Sequence, residues 1–264
     1  MEAMIVCAAG DIHGAIDRLY EEVLAFEESL GVRFAWVLHV GDFGIWPDPS
    51  RIDGATRRHD GAGDFPTWWS ERREALRKTL FIKGNHEDFV WLDEQPDPEV
   101  LPRLFYLRNG TRFDIADGDD ELLTVGGLGG CFGPSDYKRR SRDLQRYRKR
   151  HYTRDEIDGL IRGDRVDVLL VHDAPTGVVF ERHRRGAGWA SESEGLDDLV
   201  RGVRPQVCLF GHHHTRLDAD IDAVPCLGIN KAPHPGSLVA LDIGGRRHGM
   251  RVMAEWPQKP DHPA

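Results

Sequence analysis

Residues 4–14 read MIVCAAGDIHG, an apolar run that ends abruptly in a polar turn carrying Asp11 and His13. Apolar residues bounded by a glycine in this way are typical of a buried β-strand. Residues 15–30 then place apolar side chains at helical spacing with glutamates facing solvent, which predicts an amphipathic helix. A buried strand followed by such a helix indicates an α/β fold.

The same pattern recurs along the chain. Four further apolar runs predict buried strands, at residues 34–40, 79–83, 166–171 and 206–210. They end in the clusters GDFG, GNHE, HDAP and GHHH, respectively. Because ligands bind α/β sheets outside the carboxyl ends of the strands, these clusters indicate one shared site. Short alternating runs nearer the C-terminus predict antiparallel strands, at residues 224–229, 237–243 and 250–256.

The composition excludes several classes of protein. Asp and Glu number 44 against 35 Lys and Arg, and the net charge of −9 argues against non-specific binding of nucleic acid. No apolar stretch reaches the ~18 residues that a membrane span requires, so we expect no membrane association. The N-terminus lacks a signal-peptide pattern and the 4 cysteines form no CxxC pair, which predicts a cytoplasmic protein with free thiols.

No repeat or change in composition marks a domain boundary. Residues 1–256 are predicted to form a single domain, and residues 257–264 a disordered tail. Residues 43–64 predict a long loop rich in Pro, Gly and Asp, and loops of this length are usually lids, binding loops or mobile segments. Residues 138–154 form a basic segment, with nine Lys or Arg against one Asp.

The polar clusters contain the donor types that bind divalent metal ions. Mixed sets of carboxylate and imidazole ligands suit Mn, Fe, Zn, Ni or Co. Ligands at i and i+2 on an extended strand end are predicted to point the same way and to hold one ion. Seven candidates exceed what one ion uses and favour two ions with a bridging carboxylate. The candidates are Asp11, His13, Asp42, Asn85, His172, His212 and His214.

The motifs GDIHG, GDFG, GNHE, VLLVHD and GHHH, in this order, resemble those of the calcineurin-like metallophosphoesterases over residues 5 to about 240. The resemblance implies an α/β fold, a two-sheet β-sandwich flanked by helices (αββα), and two divalent ions, with Mn favoured. By this resemblance one ion is held by Asp11, His13 and His214, and the other by Asn85, His172 and His212. Asp42 would bridge the ions, a bridging hydroxide would attack phosphorus, and His86 would be the general acid.

A more local resemblance concerns the basic segment. The stretch TVGGLGGCFGPSDYKRR at residues 124–140, with the basic residues after it and VLLVHDAP, is similar to the corresponding region of RNA lariat debranching enzymes. Substrate phosphates are predicted to contact Arg146, Arg148, Lys149 and Arg150. The alternative is a solvated helix face. Debranching enzymes usually carry Cys where this chain has Asp11, which favours a relative rather than the same enzyme.

The chain departs from the phosphoprotein phosphatases, which carry Asp-Arg shortly after the second motif. GDFGIW has no Arg and leaves His86 without that subgroup's orienting carboxylate. The leading hypothesis is a phosphodiesterase acting on a nucleotide or nucleic-acid diester such as RNA. The first alternative is a phosphomonoesterase of the same fold, acting on a small phosphorylated metabolite or a phosphoprotein. The second is a non-catalytic binding module.

Overall fold

The computed structural model describes residues 4–59, 63–118, 122–181, 188–244 and 249–258. The strands in these ranges are β1 Met4–Ala9, β2 Trp36–His39, β3 Thr79–Phe81, β4 Glu99–Leu101, β5 Leu104–Tyr106, β6 Thr111–Ile115, β7 Leu123–Leu128, β8 Val168–Val171, β9 Val179–Phe180, β10 Trp189–Ala190, β11 Val207–Phe210, β12 Leu217–Ile221, β13 Val224–Gly228, β14 Leu238–Ile243 and β15 Met250–Trp256. The helices are α1 Ile16–Leu30, α2 Asp64–Glu71, α3 Phe89–Glu94, α4 Arg154–Arg162 and α5 Leu196–Val203.

Two mixed sheets form the centre of the molecule. The first has 7 strands in the order β15-β14-β1-β2-β3-β5-β4, and the second has 6 in the order β12-β13-β11-β8-β7-β6. Parallel pairing joins β1, β2, β3 and β5 in the first sheet and β13, β11, β8 and β7 in the second. The five strands predicted from apolar runs are therefore confirmed. They are five of the eight strands joined by parallel pairing, and they are buried, in keeping with their continuous hydrophobicity.

Three apolar layers show how the sheets pack. Along β1, Val6 and Ala8 face the second sheet, whereas Cys7 and Ala9 face the helices on the outer side. On the outer face of the second sheet, side chains such as Leu169 pack with residues of α4 and α5. Helices thus flank a two-sheet sandwich, and the predicted αββα architecture is confirmed.

The pairing of the C-terminal strands only partly follows the prediction. β14 pairs antiparallel with both β1 and β15, as the alternating pattern predicts. β13, however, pairs parallel with β11 and antiparallel with β12. The predicted antiparallel pairing at residues 224–229 is confirmed with β12, whereas the parallel pairing with β11 was not predicted, because alternation reports which faces are buried and not the direction of the neighbouring strand.

Helix α1 fixes the loop that precedes it. Ile16, Leu19, Val23 and Phe26 are buried against the first sheet, and burial of each such side chain contributes roughly 1.5–3 kcal/mol. The helix ends at Gly31, whose φ of 64° is left-handed and lets its N–H bond back to the last turn. This packing holds the turn at residues 10–14 against the edge of the sheet.

The composition predicts free cysteine thiols and no membrane span. Cys7, Cys208 and Cys226 are buried and Cys131 is half-buried, and all four thiols are free. Within the described ranges, the structure contains no helix long and apolar enough to cross a bilayer. Most of the predicted disordered tail, residues 259–264, lies outside the described residues.

Candidate metal centre

The first predicted ligand group is assembled from one strand end in each sheet. Asp11 and His13 follow β1, and His214 follows β11. His214 Nε2 lies 3.0 Å from Asp11 Oδ2 and 3.3 Å from His13 Nε2. One donor atom from each of the three lies within 4.8 Å of the other two. This spacing allows all three side chains to reach one ion.

The second group lies beside it. His172 Nε2 is 2.9 Å from Asn85 Oδ1 and 3.6 Å from Asp42 Oδ2. The same Asp42 oxygen is 3.9 Å from His13 Nδ1 in the first group. Asp42 therefore stands between the two groups, which is the position that a bridging carboxylate needs. Asp11 is also close, because one of its carboxylate oxygens lies within 4.8 Å of a carboxylate oxygen of Asp42 and of a ring nitrogen of His172.

His212 lies between the second ligand group and a neighbouring cluster of possible ligands. Its ring centroid lies 5.0 Å from that of His172, but its donor atom also clusters with those of Asp173 and His213. His213 Nε2 is 2.9 Å from Asp173 Oδ1, and its ring packs on Phe180. His213 is thus held by a carboxylate that the strand-end argument did not single out.

The backbone at the ligands differs from the expected extended geometry. Four of the seven predicted ligands have left-handed φ angles, at His13 (48°), Asp42 (52°), His212 (63°) and His214 (51°). The prediction that ligands at i and i+2 share an extended strand end was therefore wrong for these pairs. Tight turns aim the side chains instead. Non-glycine residues adopt such angles at a cost of roughly 1–3 kcal/mol each, and this strain typically gathers at functional sites.

Three observations test whether these residues fit metal ions. His172 Nδ1 lies 2.8 Å from the Val40 carbonyl oxygen and donates to it, which orients the ring with Nε2 towards Asn85 and Asp42 as the nitrogen available to a metal ion. His13 Nδ1 is buried without a hydrogen-bond partner among the described residues. Burial also lowers the pKa of His13 to about 3 and that of His212 to about 4, so both imidazoles are neutral, as metal ligands must be. The donor set fits two divalent ions.

Glu87 holds the loop that carries Asp42, a role that the sequence argument missed. Its Oε1 accepts from Phe43 N–H at 2.8 Å, and its Oε2 accepts from Gly44 and Ile45 N–H at 3.0 and 2.6 Å. Burial and the charge of Asp42 raise the pKa of Glu87 to about 8, although these backbone donors work in the opposite direction. The buried carboxyl thus ties the GNHE turn to the GDFG turn. The GNHE motif contained the residue but gave no sign of its partner.

His86 has an orienting carboxylate after all. His86 Nδ1 lies 2.6 Å from Asp53 Oδ2, and Asp53 comes from the long loop, 33 positions earlier in the chain. Burial acts to lower the pKa of His86, but the Asp53 hydrogen bond and the charges of Asp42, Asp53 and Glu87 outweigh it and raise the pKa. The expectation that His86 lacks such a partner holds only for the phosphatase position. Asp53 supplies the carboxylate from elsewhere.

A cavity of about 680 Å³ opens beside His86 and Asn85. Its wall contains aromatic and cationic side chains, namely Trp46, Phe89, Tyr147, Arg51, Arg146 and Arg150. The Arg150 guanidinium carbon lies 5.8 Å from the centre of the Tyr147 ring. Aromatic rings can stack on planar groups and arginines can pair with anions, so this wall offers both kinds of contact beside the candidate metal ligands.

The basic segment contributes only part of its charge to this cavity. Arg146 and Arg150 line it, whereas Arg148 pairs with Asp136 at 3.2 Å and Lys149 pairs with Asp93. The segment forms two short 3₁₀ turns before α4 begins at Arg154. The α-helix of the alternative is not formed, since no α-helix runs through residues 138–153, but most side chains of residues 138–150 are exposed, as a solvated segment requires. Of the four predicted substrate contacts, the structure brings two to the cavity.

Comparison with known proteins gives the same fold. The family model described as calcineurin-like phosphoesterase matches residues 4–216. The lariat debranching enzyme of Schizosaccharomyces pombe is 26% identical over 82% of this chain and 49% of its own length. That of Entamoeba histolytica is 22% identical over 90% of this chain and 72% of its own. The calcineurin-like phosphoesterase YfkN from Bacillus subtilis, 12% identical, superposes with a TM-score of 0.51 over 96% of this chain and 89% of its own.

The length of the relatives limits what these similarities convey. The chain spans about half the length of the first debranching enzymes that it matches, 49% and 52%. The debranching activity in their names belongs to proteins about twice as long as the matched region, and the match alone does not assign it to this chain.

The Glu87 contacts lead to a prediction about metal affinity. Glu87→Ala should weaken Mn²⁺ binding by ~10–100-fold, because three backbone donors lose their acceptor and the Asp42 turn loses its support. The Mn²⁺ affinity of Glu87→Gln, which keeps one acceptor oxygen, should lie between that of Glu87→Ala and that of the wild type. Isothermal titration with Mn²⁺ measures both, and Glu94→Ala, at an exposed carboxylate in α3, is the control. Wild-type affinity in Glu87→Ala would contradict the role.

Proposed function

Because the chain belongs to the calcineurin-like phosphoesterase family, we propose that it is a two-metal phosphodiesterase that hydrolyses nucleotide or nucleic-acid diesters. The observation that carries this proposal is the cavity of about 680 Å³ beside Asn85 and His86, with its aromatic and arginine wall. A phosphomonoester needs only the metal centre and cationic groups around one terminal phosphate. A diester also needs room for a second organic group, and this cavity provides it.

The chemistry divides between the metal ions and the chain. Two divalent cations would supply a nucleophilic water at neutral pH and neutralise charge on the phosphoryl oxygens, and we propose Mn²⁺ as the ion. One ion would be held by Asp11, His13 and His214, and the other by Asn85, His172 and His212. Asp42 would hold both ions at a fixed separation, since its Oδ2 lies within 3.9 Å of nitrogens from both groups.

His86 would protonate the leaving oxygen. It follows the metal ligand Asn85 directly and lines the cavity, and its Nδ1 is oriented by Asp53. The hydrogen bond at Nδ1 leaves Nε2 as the nitrogen that faces the substrate. The leaving group would therefore occupy the cavity, where its base can stack on Tyr147 or Trp46.

RNA is the nucleic acid that we propose as substrate. The relatives that match over most of this chain are lariat debranching enzymes, and their match includes the basic segment. Arg146 and Arg150 would contact RNA phosphates, because both line the cavity. Arg148 and Lys149 are paired with carboxylates and would stabilise the segment itself. We propose a cytoplasmic location, in keeping with the free thiols.

The first test compares diester and monoester hydrolysis. The Mn-loaded protein should hydrolyse bis-p-nitrophenyl phosphate in preference to p-nitrophenyl phosphate, measured as kcat/KM. Asp42→Ala should lower turnover by at least ~100-fold, since both ions lose a shared ligand. Asp97→Ala, at an exposed carboxylate, is the control. A preference for the monoester would make the protein a phosphatase, and normal turnover in Asp42→Ala would refute the two-metal mechanism.

The His86–Asp53 pair predicts that the loss of activity on substitution depends on the leaving group of the substrate. Asp53→Asn keeps an oxygen that can cap the N–H groups of Ala55 and Thr56 but loses the charge that orients His86. It should lower kcat by ~10-fold or more on a dinucleotide, whose alkoxide leaving group needs a proton. On bis-p-nitrophenyl phosphate the loss should be smaller, because nitrophenolate leaves without one.

The same pair can be tested by a double-mutant cycle. In a His86→Ala background, Asp53→Asn should cause no further loss of kcat on the dinucleotide, because the group that it positions is absent. Additive losses, or equal losses on the two substrates, would show that Asp53 only stabilises its loop.

The basic segment predicts a difference in salt dependence. Arg146→Ala combined with Arg150→Ala should weaken binding of single-stranded RNA and flatten the plot of log affinity against log salt by roughly 0.7 per lost phosphate contact. The control combines Arg140→Ala with Arg142→Ala, which removes the same charge from exposed positions of the same segment. Fluorescence anisotropy with labelled RNA measures both. Equal losses in the two variants would contradict a specific contact.

A further inference from the structure

A second cavity, of about 180 Å³, opens on the metal centre at His13. The long loop separates it from the larger cavity, because Asp53, Gly54 and Ala55 line the larger one and Arg58 and His59 line the smaller one. The remaining wall comes from the turn before α1, from α1 itself and from the loop after β13.

The wall of this cavity is positively charged. It contains Arg18, Arg58 and Lys231 together with the imidazoles of His59 and His234, and no carboxylate. Over the described residues, none of the three cations forms an ion pair within 4.0 Å. In a chain with a net charge of −9, three cations without a close ion pair among the described residues favour a local positive potential around this small cavity. Its chemistry suits an anion.

The segments that carry the cationic side chains are tied to the metal ligands. The His59 ring stacks on the His13 ring, with centroids 3.9 Å apart and planes inclined by 3°. Ala232 N–H donates to the Asp11 carbonyl at 3.0 Å, which ties the loop bearing Lys231 to the first ligand. Arg18 lies in the first turn of α1, where it is half-buried. An anion in the cavity would therefore lie close to the metal centre, because His13 is part of its wall.

The position of the leaving group indicates which anion would bind in the smaller cavity. A leaving group beside His86 fills the larger cavity, so the second ester arm of the phosphodiester must extend elsewhere. The smaller cavity is too small for a nucleoside, but its volume and charge fit a phosphate. We propose that it is an anion subsite for a second phosphate, carried by the nucleoside that remains attached to the scissile phosphate. This inference rests on the proposed phosphodiesterase function and defines its substrates as nucleotides with at least two phosphates.

The test compares two chromogenic substrates that differ by one phosphate. These are the p-nitrophenyl ester of thymidine 5′-monophosphate and the same compound with a 3′-phosphate. In both, nitrophenol leaves and thymidine stays. The 3′-phosphate should raise kcat/KM by ~10-fold or more, because it forms charge-assisted contacts with the cavity wall.

Substitutions in the cavity wall test whether the gain in kcat/KM from the 3′-phosphate arises in this cavity. With Arg58→Ala and Lys231→Ala combined, the ratio of kcat/KM between the two substrates should fall to within ~2-fold of one. Arg33→Ala should keep the wild-type ratio, because Arg33 is exposed just before β2, at the opposite end of that strand from the metal ligands. An unchanged ratio in the double variant would overturn the subsite.

A binding measurement separates this inference from the proposed function. Isothermal titration of the Mn-loaded protein should give a ~10-fold tighter Kd for thymidine 3′,5′-bisphosphate than for thymidine 5′-monophosphate, and the double variant should abolish the difference. If neither chromogenic ester is hydrolysed but this preference is found, the proposed function fails and the subsite stands. Equal affinities in the wild type would overturn the subsite, whatever the protein hydrolyses.

Discussion

Two buried carboxylates, Asp11 and Asp42, impose the constraint on which the rest of the site depends. An ionised carboxylate removed from water is costly unless charges and hydrogen bonds compensate it. Around Asp11, burial is outweighed by the hydrogen bond from His214 and by neighbouring imidazoles, and its pKa is held below the usual range. Around Asp42 burial dominates, the charge of Asp11 adds to it, and the pKa is raised. Asp42 is therefore the group whose charge most needs a cation beside it.

The neighbouring turns are arranged to satisfy this constraint. Backbone N–H groups of His86 and His212 donate to the Asp42 and Asp11 carboxylates, so the motifs that carry later ligands also stabilise the earlier ones. Gly84 is required for the same reason, because a Cβ at that position would collide with the Asp42 carboxylate. Gly84 thus makes room for a charged oxygen at the point where the chain turns after β3.

The sequence allowed the general form of the fold and site to be predicted. The buried strands β1, β2, β3, β8 and β11 have continuous apolar runs, and rules about strand ends bring their polar residues together. The Asp53–His86 contact could not be predicted in this way, because it depends on how a long loop folds back over the strand ends. The pairing of Arg148 and Lys149 with carboxylates depends likewise on distant residues. Left-handed turns at His13 and Asp42 could not be predicted from residue type, because Asp and His adopt them more often than most residues but still only in a small fraction of cases.

The centre is built from both sheets, and this has a consequence for the order in which the molecule matures. His13 and His214, which approach to 3.3 Å, are 201 positions apart in the chain. Contacts between such distant positions form only after much loop-closure entropy has been lost, so they belong to the late, slow events of folding. During synthesis, a nascent chain that has emerged only as far as β7 carries Asp11, His13, Asp42 and Asn85 but lacks every ligand of the second sheet. Tight uptake of two ions must therefore follow the docking of the two sheets.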